Sequence, residues 1–183
     1  MTKILCEPRD VFIRGRFEGF KQWPQGATGS PFGRSVKSLF PVSPKLNLDD
    51  EPLDFFIQGS MSIVSRKLKE IVDRYQAKVE FFPILVSFRD RSLADFFFMN
   101  YLECLDCLDK EKTVRDVGGP FPDDIKRIAL DESRIGNCPL FMIAKTIFKG
   151  ASDRLAEDIQ NAHCTGVEFK SPEEWRNAVL LGK

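Results

Sequence analysis

The chain has 183 residues, 43% apolar and 30% charged, with a formal net charge of +0 and a pI near 6.6. A chain of this size buries about two-thirds of the surface it exposes when unfolded, so it needs no staples to fold. Its five Cys are an odd count without framework spacing and read as reduced thiols, and the balanced charge argues against a nucleic-acid binder.

The opening Met1 to Asp10 carries Lys3, Glu7, Arg9 and Asp10 and no apolar run, so it does not read as a secretory signal. No window approaches the ~18 apolar residues of a membrane span. A cytoplasmic protein that does not enter a membrane is the expectation. Residues 1–45 hold eight Lys/Arg against three acids, and the first 50 residues include a stretch rich in Gly, Pro, Ser and aromatics over residues 15–35. Residues 1–50 are therefore expected to form an irregular basic arm, with a short ribbon around Val11 to Phe17, packed on a body formed by 51–183. Gly26, Gly29 and Gly33, followed by Arg34 and Ser35, invite comparison with a phosphate-cradling loop. The spacing is wrong, however, and Arg34 stands where Lys is required.

From Leu53 the pattern tightens. Leu53 to Ile57 is a short apolar run. Leu68, Ile71, Val72 and Tyr75 then fall on one helical stripe, with Ser62 or Ser65 as cap. Lys78 to Phe88 reads as a strand, and Pro83 within it marks an edge or a bulge. Asp95 to Leu105 carries large side chains on both faces, the mark of a central strand. Residues 109–124 read as a charged loop. Ile125 to Leu130 and Leu140 to Thr146 are further strands, and Ser152 caps a second helix with Leu155, Ile159 and Ala162 on its apolar face. Val167 to Phe169 is a last strand, and Ser171-Pro-Glu-Glu-Trp175 has the cap, proline and acids of a third helix start. The unit Ile63 to Ser65, helix, Val79 to Phe81 is echoed by Phe148 to Ser152, helix, Val167 to Phe169. The expected class is α+β, with a mixed or antiparallel central sheet, two or three helices packed on it, and an irregular N-terminal arm.

Reactive machinery is sparse. His163 is the sole imidazole, so any triad would have to use it, and it falls at a helix exit, where the helix dipole gives it a structural reason to be. Cys104 and Cys107 form a C-x-x-C in the tail of a strand rather than at a helix start, which favours buried thiols over a redox pair. A zinc site completed by His163, Cys164, Cys6 or Cys138 is the alternative, without the paired spacing that zinc sites show. The acids Glu103, Asp106, Asp109 and Glu111 match no recurring ligand spacing. The expectation is a non-enzyme without catalytic residues, metal or cofactor.

Several stretches carry a resemblance: Ile63 to Ser65 before a helix, Phe81-Phe-Pro-Ile-Leu-Val86, Phe96-Phe-Phe-Met-Asn-Tyr-Leu102 running into Cys104-Leu-Asp-Cys-Leu-Asp109, Leu140 to Ile143, the helix after Ser152, and Gly166-Val-Glu-Phe169. Over roughly residues 53 to 170 the chain resembles immunity family eleven of bacterial polymorphic toxin systems, with Phe where that family has tyrosines; the first 50 residues lie outside the likeness. The resemblance implies a cytoplasmic protein that binds and neutralises a cognate secreted toxin domain, such as a nuclease, without direct contact to nucleic acid. A zinc enzyme and an adaptor module are the rival readings. An acidic loop suits a basic toxin cleft, so the expected contact surface is Asp109, Glu111, Asp116, Asp123 and Asp124 with Phe121 as aromatic anchor.

Overall fold

The computed structural model describes residues 1–8, 13–18, 33–37, 44–59, 61–115 and 125–175. In chain order they form β1 (Thr2–Cys6), β2 (Gly15–Glu18), β3 (Lys45–Leu48), β4 (Phe55–Gln58), β5 (Met61–Ser65), α1 (Arg66–Arg74), β6 (Val79–Phe88), β7 (Arg91–Tyr101), β8 (Cys104–Leu105), β9 (Val114–Arg115), β10 (Ile125–Arg127), β11 (Leu140–Ile143), β12 (Lys149–Ser152), α2 (Asp153–Asn161) and β13 (Glu168–Lys170).

The α+β expectation with one central sheet is corrected. Of the described residues 45% are strand and 16% helical, with two helices and several sheets, one of them curled into half a barrel. Six strands run in the order β2-β3-β6-β7-β5-β4 and five in the order β13-β1-β12-β11-β8, while β9 and β10 make a separate ribbon. The expected irregular arm is corrected with it. Thr2–Cys6 lies between β12 and β13, paired antiparallel to both, and Gly15–Glu18 and Lys45–Leu48 extend the larger sheet. The expected third helix is a turn within the described residues. Ser171 and Glu174 do bond reciprocally, Glu174 N donating to Ser171 Oγ and Ser171 N to Glu174 Oε2, but residues beyond Trp175 lie outside the described set.

The six-stranded sheet curls because its inner face must be filled by side chains from every strand. Phe17, Leu46, Phe56, Ile63, Phe82 and Phe98 meet there, one from each strand. Its two edges approach closely enough for Gln58 Nε2 on β4 to donate to the Gly15 carbonyl on β2 at 2.9 Å. A Cβ on Gly15 would stand 2.6 Å from Leu48 and 2.9 Å from the Asn47 carbonyl, so this seam needs glycine.

Strand alternation sends the neighbouring residues outward. Val64, Phe97, Met99 and Tyr101 join Leu5, Leu140, Met142 and Ala151 of the five-stranded sheet and the buried faces of α1 and α2 in a second core. Pro83 sits where β6 has β7 alone as a strand partner among the described residues, since β3 pairs only with Leu85 to Phe88; a register shift follows between Ile84 and Val86. A third core, with Ile4, Phe141, Ile143, Cys107, Ile125 and Trp175, covers the other face of the five-stranded sheet.

The sequence echo has a structural counterpart. In both units a strand runs directly into a serine-capped helix, Ser65 accepting from Leu68 N and Ser152 from Leu155 N, each at 3.3 Å. Each helix leaves through a residue of positive φ, Gln76 and His163, both at 52°. Each returning strand is parallel to the first with one antiparallel strand between them, β7 in one unit and β1 in the other. These are split β-α-β units. The helices are tied by the Tyr75 hydroxyl donating to Asp158 at 2.8 Å.

Candidate functional site

The expected acidic surface begins where the chain leaves β8. Leu108 and Leu130 form an antiparallel bridge, Asp109 N donates to the Ala129 carbonyl at 2.9 Å, and Asp131 N to the Cys107 carbonyl at 2.8 Å. β9 and β10 continue this pairing outward, and buried Cys107, Leu108, Ile125 and Ile128 anchor it on the third core. The excursion is thus paired at a fixed base, and residues 116–124 connect β9 to β10 in sequence. Asp116, Phe121, Asp123 and Asp124 lie outside the described residues.

Asp109 and Glu111 are at the base. Asp109 Oδ1 accepts from Glu111 N and Lys112 N, both at 3.1 Å, and Oδ2 pairs with Lys112 Nζ at 2.9 Å. The bond from Lys112, with the two backbone donors, holds its carboxyl below the usual range. Asp109 therefore shapes the turn, in the way short acidic side chains do. Glu111 is exposed. The base also carries Lys110, Lys112, Lys126 and Arg127 on its surface, so its charge is mixed.

The candidates for chemistry do not converge. Cys104 packs against the second core while Cys107 is fully buried in the third. Burial raises both thiols, Cys107 to about 11, which keeps them protonated and unreactive at neutral pH. His163 is exposed on its turn, and its carbonyl accepts from Lys67 Nζ at 3.0 Å. Among the described residues no group of three or more His, Cys, Asp or Glu is placed to hold a metal ion, and no helix is long and apolar enough to cross a membrane. Gly33 spends its N–H on the Tyr101 carbonyl rather than on a phosphate cradle; Gly26 and Gly29 lie outside the described residues.

Three features escaped the sequence reading. Asp54 joins the two split β-α-β units, accepting from Ser65 Oγ at 2.6 Å and from Thr165 N at 2.9 Å. Lys149 is only 8% exposed, in the middle of the five-stranded sheet, with Glu7 as the acid it senses most. A lone Lys between Phe148 and Gly150-Ala151 was the available signal. The third is the β6–β7 hairpin, whose two-residue loop Arg89-Asp90 could have been found from the two flanking strand patterns.

No curated protein matches the chain. The profile described as Immunity protein family (Imm11) matches residues 3–174. The likeness read from residues 53 to 170 therefore extends through the N-terminal segment that seemed to lie outside it, as expected of a fold in which Thr2–Cys6 is an inner strand. With this match spanning both sheets, both helices and all three cores, the chain belongs to the Immunity protein family (Imm11), which supports an immunity role for it.

Proposed function

We propose that this chain is the cytoplasmic immunity partner of a secreted toxin domain and that it neutralises the toxin by forming a stoichiometric complex, without turnover. The family match over residues 3–174 carries this reading. The described residues supply what such an inhibitor needs, a scaffold held by three cores. The ribbon that starts at Asp109 is the proposed contact surface toward a basic toxin such as a nuclease. Acids there speed capture, and an aromatic anchor, Phe121, extends the lifetime of the complex.

Co-expression with the toxic domain encoded beside this gene tests the function: cells should grow with the chain and fail without it. Failure of protection, with the chain soluble and folded, would remove the immunity reading. Changing Asp116, Asp123 and Asp124 together to Lys should cut the association rate about 10-fold or more at low salt. An unchanged rate would take the contact away from this ribbon. Asp109 is left intact in that variant because its carboxylate builds the turn.

A further inference from the structure

The β6–β7 hairpin ends in a two-residue loop, Arg89-Asp90, closed by the pair Phe88 and Arg91. Both loop residues have positive φ, 48° and 60°. That turn is favoured by Asn-Gly, because a side chain larger than Asn or Asp crowds the left-handed conformation. Five residues later the hairpin carries a bulge, in which Ala94 and Asp95 face Leu85 alone. Asp95 there has φ 75°, at a position where glycine is the ordinary occupant. Of the six non-glycine residues with positive φ among those described, three thus lie between 89 and 95. Gln76 and His163 are explained by their helix exits and Asp95 by its ion pair with Arg66; Arg89 and Asp90 are not explained by any capping need. A backbone held with strain that glycine would relieve marks side chains kept for another purpose.

Those side chains are presented outward. Leu85 is 53% exposed, and Arg89, Asp90 and Arg91 are exposed. The Arg89 guanidinium lies 4.9 Å from the Phe88 ring centroid, which pre-orders it. Arg91 makes no ion pair among the described residues, and neither does Arg89; of the two hollows at the tip, Asp90 lines one beside Arg89, and Glu51 lines the other beside Arg89 and Arg91. A hollow flanks each face of the tip, and Arg89 and Ser92 line both. One, of about 530 Å³, is bounded by Leu85, Lys45 and Asn47; the other, of about 590 Å³, by Phe88, Leu93 and Phe96. Two guanidiniums without an ion pair among the described residues, one lying over an aromatic ring, beside a recess of mixed lining that includes Phe88, Leu93 and Phe96, have the composition of an interface hot spot.

We infer that the β6–β7 hairpin tip is a second toxin-contacting surface, one that takes a carboxylate of the partner between Arg89 and Arg91 and an apolar side chain into the Phe88–Leu93–Phe96 recess. It rests on the reading that the chain binds a toxin, and it lies in a different part of the fold from the acidic ribbon. The probe is the purified toxic domain encoded beside the gene, immobilised and titrated with the full chain. In the double variant Arg89→Asn/Asp90→Gly the loop keeps its turn type and loses its strain. Its Tm should rise by about 3 °C while its affinity for the toxin falls about 30-fold or more. Arg91→Glu, at an ordinary strand position, should weaken binding about 10-fold or more with Tm unchanged. Wild-type affinity in both variants, against a toxin that the unmodified chain binds, overturns the hairpin assignment and leaves the immunity reading standing. A toxin that does not bind the unmodified chain overturns both.

Discussion

Lys149 shows how much a single position can hold in reserve. In β12 it is in register with Leu5 on one side and Met142 on the other, so it lies on the sheet face turned to the second core. Burial pushes its amine down to about 8, with Glu7 and then Cys6 pulling the other way. Glu7 is raised in turn, by burial first, against the Ile57 N–H that donates to it at 2.5 Å and the charge of Lys149. A cation with a depressed folded pKa costs stability while it is protonated in the fold. The cost is present in full below pH 8 and is relieved as pH rises from about 8 toward the ordinary value of 10.5. Lys149 and half-buried Glu7 sense each other's charge without a salt bridge, and replacing buried charges by uncharged groups of similar shape is often neutral or stabilising by about 1–4 kcal/mol. The double variant Lys149→Met/Glu7→Gln, whose amide still accepts from Ile57, should therefore unfold at higher urea at pH 7, by about 1–3 kcal/mol. It should also lose the rise in stability between pH 8 and 10. A lower urea midpoint at pH 7 would mean that the pair stabilises the fold rather than straining it.

The elements are joined at Asp54, whose carboxylate meets β5, α1 and the loop that follows α2. It accepts from Ser65 Oγ, Thr165 N and Thr165 Oγ1, and Lys67 Nζ stands 3.6 Å away. Gly166 completes the joint: at φ +78° it lets the loop pass so close to β4 that a Cβ would come within 2.0 Å of the Phe55 carbonyl. Burial alone would raise the Asp54 carboxyl, but the bonds from Ser65 and Thr165 and the charge of Lys67 hold it below its usual value. Such a carboxylate stabilises the fold above the unfolded pKa of about 3.9, and that contribution is lost as pH falls through the lower folded value. Asp54→Ala should cost about 2–3 kcal/mol at pH 7 in chemical unfolding, by leaving Ser65 and Thr165 donors unpaired. It should also flatten the acid limb of the stability profile; a loss under about 0.5 kcal/mol would show that water replaces the joint. The elements themselves were legible where the signal is local. Ser65 and Ser152 cap helices on the expected stripes, and Phe96 to Phe98 lie in a central strand as their two-sided bulk implies. Arrangement was not legible, because it depends on pairings far apart in sequence. The run Asp95 to Leu105 reads as one strand, yet the chain leaves the larger sheet at Tyr101 and enters the smaller one at Cys104. Of the expected acidic surface, Asp109 could be read as an acid but not as the organiser of its own turn, since that depends on the Glu111 and Lys112 N–H groups folding back onto its carboxylate.

For the molecule as a whole, the consequential contact is between its beginning and its end. β1 is an inner strand: Thr2 to Leu5 pair with Lys149 to Ser152, and Ile4 to Cys6 pair with Glu168 to Lys170. Its two faces feed separate cores, Leu5 the second and Ile4 the third. The second split β-α-β unit is therefore incomplete without residues that precede it by almost the whole chain. Closing a loop of that length costs entropy before its contacts repay it, so the pairing of β1 with β12 and β13 is the costly contact of the smaller sheet. Residues 1–8 also carry Glu7, the side chain that covers the Ile57 N–H on the β4 edge, so this segment protects an edge of the larger sheet as well. Deleting residues 1–8 should then remove far more than a frayed end would. The truncated chain is expected to lose its cooperative thermal transition, or to melt at least ~10 °C below the full chain, on the scale of several kcal/mol for buried Ile4 and Leu5 together with their strand pairings. A synthetic peptide of residues 1–8, added in excess, should restore part of the transition by re-entering between β12 and β13. A truncated chain that melts cooperatively within ~2 °C of the intact one would show that β1 is a peripheral addition, and that the larger sheet with the two helices holds the fold alone.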